Sequence, residues 1–129
     1  MDGIVLQKPA APLFRDPVYN GAADPMIIWN NHERGWWLIY TQRRAFSPGI
    51  GVTWLHGTAI GVASSGDNGK TWLYRGTLDS LIFENGTNSF CAPDVIFENG
   101  LYHMYVSYVQ GIRIGVQGLK TAYRRIIFR

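Results

Sequence analysis

Cysteine is nearly absent: Cys91 stands alone in a chain of 129 residues. An internal disulfide is therefore impossible, and a reducing, cytoplasmic setting is the expectation. No stretch approaches the ~20 apolar residues of a membrane span. Asp2, Lys8 and two prolines interrupt the N-terminal segment, so the pattern of a secretory signal is missing too. Charge is also scarce, and the net value of +3 is modest. Arg113, Lys120, Arg124, Arg125 and Arg129 load the end of the chain with positive charge. No nucleic-acid reading motif accompanies them, so neither nucleic acid nor a membrane is an expected partner. Gly49-Ile50-Gly51 lacks the rest of either phosphate-loop motif. No His, Cys or Asp spacing suggests zinc, and no cofactor or metal is expected.

What the chain does have is aromatic side chains and turns. Five Trp, seven Tyr and 15 Gly, set in short runs, point to an all-β fold. The organising stretch is Phe90 to Tyr108. Asp94 stands at the mouth of the run Val95-Ile96-Phe97, Glu98-Asn99-Gly100 makes a turn, and Leu101 to Tyr108 returns. Asn-Gly between two strand-like runs is a strong hairpin signal, because both residues tolerate positive φ. Ala23-Asp24-Pro25 opens a similar unit, with Met26 to Trp29 going out and Trp36 to Thr41 coming back. Asp24 and Asp94 thus read as matching positions in two copies of one unit, and a repeat on this scale suggests a propeller.

Taken in order, residues 1–22 form an extended leader that closes with the turn residues Asp16 to Gly21. Residues 23–77 supply four strands, the third being Thr58 to Ser64. There Ala59, Gly61 and Ala63 share one face, a sign that another sheet or backbone approaches closely. Ser65-Gly66-Asp67-Asn68-Gly69-Lys70-Thr71-Trp72 fits the Asp-box pattern S-x-D-x-G-x-T-W found in sialidases and other β-propellers. Its Asp builds the turn and its Trp anchors the hairpin, so Asp67 reads as structural. Residues 78–129 hold a crossover and a second unit, with an irregular basic tail from 111. In it, 112–116 and Tyr123 to Phe128 are candidate third and fourth strands. The expected fold is an all-β partial β-propeller, about two four-stranded antiparallel blades of a five-bladed type.

Ala-Asp-Pro at Asp24, Ala-Pro-Asp-Val at Asp94 and the aromatic hairpin after it resemble glycoside hydrolase family 43 and its five-bladed relatives. The resemblance implies hydrolysis of O-glycosidic bonds with inversion, Asp24 being the general base and Asp94 tuning the pKa of the general acid. An inverting pair of carboxyl groups stands roughly 6.5–9.5 Å apart, and a third carboxylate raises the acid's pKa. Trp29, Trp54, His56 and Phe90 become rim residues able to stack on or bond to an oligo- or polysaccharide. The acid, a Glu from a later blade in that family, has no counterpart here, since Glu33, Glu84 and Glu98 all lie in turns. A truncated or frame-shifted product of a longer gene is expected, and two open blades imply a homo-oligomer. The alternative is a non-catalytic carbohydrate-binding or oligomerising fragment. A sialidase-like reading fails on its arginine cluster and Tyr/Glu pair, which have no place here. His103 reads as packed or surface, and Cys91 as a small buried residue.

Overall fold

A computed structural model describes residues 10–45, 57–81, 88–110 and 121–128. They form seven strands: β1 (Ala22–Asn30), β2 (Gly35–Gln42), β3 (Ala59–Ser65), β4 (Leu73–Thr77), β5 (Ser89–Glu98), β6 (Leu101–Val109) and β7 (Thr121–Phe128). The all-β expectation holds. A first sheet runs in the order β1-β2-β3-β4 and a second in the order β5-β6-β7, every pairing antiparallel. A 3-10 turn, Asp79–Leu81, lies in the crossover between them.

The β5–β6 hairpin turns on Asn99 and Gly100, both at positive φ, which is the geometry the Asn-Gly pair favours. The last strand departs from expectation. Tyr123 to Phe128 pairs directly with β6 and so holds the third position in its sheet, not the fourth. The other candidate, 112–116, lies outside the described residues.

One core lies between the sheets. Ile39 and Ile60 of the first sheet pack with Val95, Met104, Val106 and Tyr108 of the second, and Met26, Ile28 and Trp37 close its margin. Each such side chain contributes about 1.5–3 kcal/mol by leaving water, so this contact holds the sheets face to face. Two hydrogen bonds add direction: the Tyr102 hydroxyl donates to Trp29 O (3.2 Å) and accepts from Asn31 N (2.8 Å).

The other face of the first sheet carries a smaller core of Leu38, Tyr40 and Ala63, covered by Phe14 of the leader and Trp72. The small-residue face is explained here by an aromatic ring, not by a second sheet. Tyr40 lies across Gly61, where any Cβ would strike its ring. Phe14 then packs on Tyr40 at 5.3 Å. Trp72 reaches this core because the Asp-box turn aims it there. Ser65 Oγ donates to Asp67 Oδ1 (2.8 Å) and accepts from Gly69 N (2.8 Å), while Asp67 accepts from the Thr71 amide and hydroxyl. Those bonds, the Thr71 hydroxyl first, hold the Asp67 carboxyl down to about 2. Asp67 is a turn builder.

Candidate functional site

Both opening strands carry a β-bulge, and the bulges fix where the aspartates stand. In β1, Ala23 pairs with Thr41 and Met26 with Ile39, so Asp24 and Pro25 together oppose Tyr40. In β5, Cys91 pairs with Ser107 and Asp94 with Tyr105, so Ala92 and Pro93 oppose Val106. The repeat therefore aligns proline with proline. Asp24 matches Ala92, and Asp94 matches Met26. This corrects the expectation that the two aspartates are equivalent: one precedes its proline and the other follows it.

The first bulge residue is left-handed in each strand, with φ 47° at Asp24 and 50° at Ala92. Glycine usually fills this place. For other residues it costs roughly 1–2 kcal/mol, less for Asp, whose short polar side chain bonds locally. Strain of this kind persists only where the surroundings over-determine it, and it clusters at functional sites.

Here one side chain fixes both bulges. Thr41 on β2 is fully buried. Its hydroxyl accepts from Ala92 N (2.8 Å) and donates to Asp24 Oδ2 (3.0 Å). The polarity is forced, because a backbone N–H can only donate and the single hydroxyl proton is left for the carboxylate. Among the described residues Thr41 is the one hydrogen-bond partner of the Asp24 side chain, which stays exposed. The thiol of Cys91 is close by. Burial pushes its pKa up, the Asp24 carboxylate adds to this and Arg43 opposes it. A thiol so shifted is protonated and a poor nucleophile. It is half-buried, rather than buried as expected.

Asp94 is exposed and opposes Tyr105. Its neighbour Val95 enters the inter-sheet core, so alternation turns Asp94 to the outer face of the second sheet. No described hydrogen bond or ion pair joins it to Asp24.

Of the two described rim residues, Trp29 stands away from Asp24 and Phe90 is withdrawn from solvent. Trp29 lies at the far end of β1, about 15 Å along the strand by its rise per residue, and packs edge-on against Trp36 (5.2 Å, 76°). Phe90 is buried against Tyr108 (5.1 Å) in the inter-sheet core. Trp54 and His56 lie outside the described residues. His103 is buried on β6, within the packed-or-surface expectation.

No described glutamate stands at the bulges. Glu33 pairs with Arg75 (2.9 Å) in the β1–β2 turn, and this bond holds its carboxyl low. Glu98 is exposed at the end of β5. A depression of about 470 Å³ near Phe14, Arg15, Trp72 and Tyr74 lies on the leader side of the first sheet, away from Asp24, with no carboxylate in its lining.

Sequence reasoning missed Thr41, which reads as an ordinary strand residue. The usable signal was a hydroxyl at the inward-facing end of an apolar strand. It also missed Asp16, which is buried rather than merely a turn residue. Its Oδ1 takes the Val18 and Tyr19 amides (3.0 and 2.6 Å), while Oδ2 takes the Tyr40 hydroxyl (2.6 Å) and the Gln42 amide (2.8 Å). Burial pushes this carboxyl up, and the four hydrogen bonds outweigh it, so its pKa is lowered.

Comparison with known proteins finds no matching family model and no matching curated protein. Among the described residues no three His, Cys, Asp or Glu side chains gather as a metal site requires. No described helix is long and apolar enough to cross a membrane.

Proposed function

We propose that the chain carries part of a glycosidase site in a propeller-like fold, with Asp24 as the general base. The observation that supports this is the Thr41 hydroxyl, which holds an exposed Asp24 carboxylate where two strained bulges meet. Bulges are over-represented beside active sites, where they re-aim a side chain. An exposed carboxylate with one fixed oxygen keeps acceptor capacity for a water. In the proposed reaction Asp24 removes a proton from water as that water attacks the anomeric carbon, on the face opposite the departing oxygen. The bond to the departing oxygen breaks as that oxygen takes a proton from a general acid, which is not among the described residues at the bulges, and the product anomer is inverted. Asp94 serves to raise the pKa of an acid through like-charge repulsion. The up-and-down first sheet, the bulge repeated in β5 and the packing of β5 on the first sheet support the propeller reading.

A second reading, a non-catalytic sugar-binding module, draws on the absence of a described glutamate at the bulges. A single experiment separates the two. Glycosyl fluorides leave without protonation of the leaving group, so a site with a base and no acid can still hydrolyse them. Fluoride release from a panel of α- and β-glycosyl fluorides should depend on Asp24, with Asp24→Asn costing about 10²–10⁴-fold and Asp79→Asn costing nothing. Release unaffected by Asp24→Asn sinks the assignment of the base. No release by the wild-type chain, with oligosaccharide binding retained in calorimetry, establishes the binding module instead.

A further inference from the structure

The register of the two bulged strands assigns a partner to each outer face. Matching the sheets through their bulges sets Ile96 in the place of Ile28, Tyr105 in that of Ile39 and Ser107 in that of Thr41. In the first sheet those positions form the face that packs on the second. Ile39 and Thr41 are fully buried there and Ile28 is half-buried. In the second sheet the same positions lie on the outer face, where His103 is buried while Ile96 and Tyr105 stay 46% and 43% exposed.

The complementary surface shows the same relation. Ile27 takes the place of Val95 and Trp29 that of Phe97. Val95 is 4% exposed because it packs on the first sheet, whereas Ile27 is 51% exposed on the outer face of β1. Phe14 and Trp72 cover this face over Leu38, Tyr40 and Ala63, leaving the β1 margin with Ile27 and Trp29 in water. Each chain thus presents a copy of both halves of its own inter-sheet contact.

We propose that these two faces join copies of this chain head to tail, the Ile27–Trp29 margin of one copy seating on the Ile96–Tyr105 face of the next. The contact continues the one already made inside the chain, with the β1 bulge of the incoming copy set against Ser107 as the β5 bulge is set against Thr41. Such a contact is heterologous: each joint uses two different surfaces and leaves one of each unused. The inference rests on packing and register and is independent of any catalytic activity.

That asymmetry supplies the test. Sedimentation of the full chain should show assemblies larger than a monomer. Ile27→Lys and Ile96→Lys, both at exposed positions, should each give a folded monomer, while Leu73→Lys, also exposed, should leave assembly unchanged. Mixing the two monomeric variants should restore a one-to-one dimer, because each keeps the surface the other has lost. Tyr105→Lys substitutes for Ile96→Lys if circular dichroism shows the latter misfolded. A wild-type monomer at micromolar concentration overturns the proposal, as does a mixture that stays monomeric. Assembly that survives both lysine variants also overturns it, since copies would then meet elsewhere.

Discussion

The first sheet holds an aspartate against each of its faces, and the two are built in opposite ways. Asp16 is 2% exposed and accepts four hydrogen bonds, so both oxygens are committed. Asp24 is exposed, takes one hydrogen bond among the described residues, and sits on a strained backbone. A buried carboxylate with every lone pair engaged holds structure together and has nothing left for a ligand. An exposed one, steered by a single hydroxyl, gives little to the fold and keeps its acceptor capacity. The contrast separates an anchor from the carboxylate proposed as the base, without reference to any relative.

The largest effect that can test the contrast falls on Asp16. Asp16→Ala leaves the Tyr40 hydroxyl and the Gln42 amide without their shared acceptor and frees the turn that seats Phe14. The expected loss is about 3 kcal/mol in urea unfolding. A loss under about 1 kcal/mol would place Asp16 in the same class as Asp24. Acid should report the same anchor. The carboxyl is more acidic in the folded chain than in the unfolded one. Its contribution is therefore complete above the unfolded value, near 4, and fades as pH falls through the lower folded value. Denaturation midpoints measured from pH 6 downward should drop more steeply for wild type than for Asp16→Asn, which has no proton to gain.

The same contrast marks what could be read in the chain itself. The four strands of the first sheet, the Asp-box turn and the β5–β6 hairpin follow from short-range chemistry: Gly at positive φ, Ser and Asp in turns, and apolar runs of strand length. Asp16 was legible as a turn residue, since its Oδ1 bonds are local. Its burial was not, because Tyr40 and Gln42 reach it from a strand more than twenty residues away. The register of Asp24 against Asp94 was misread for a similar reason. Ala-Asp-Pro and Ala-Pro-Asp look alike as strings, but pairing with β2 and β6 aligns their prolines and carries the carboxylates to different places. Trp29 and Phe90 carry the right chemistry for stacking on sugars. Strand direction sends one to the far end of β1, and the inter-sheet core takes the other. Thr41 gained its role through Asp24 on the neighbouring strand and Ala92 on a strand of the other sheet.

The smallest effect is the sharpest check, because it must be nearly absent. Asp24→Asn keeps a short side chain that tolerates the left-handed conformation, so the bulge gains no new strain. The Asn carbonyl can still accept the Thr41 proton, and what is lost is only the extra strength of a bond to a charged acceptor. At an exposed position solvent makes up part of that difference. The net cost should be under about 1 kcal/mol, within the spread of ordinary surface substitutions and well below that of Asp16→Ala. Urea unfolding of Asp24→Asn beside Asp16→Ala decides the matter. If Asp24→Asn costs as much, the Thr41 link holds the sheets together and Asp24 is a second anchor. If it costs little while fluoride release falls, the carboxylate is kept at the bulge for its chemistry, which is the distinction the two faces of the sheet draw.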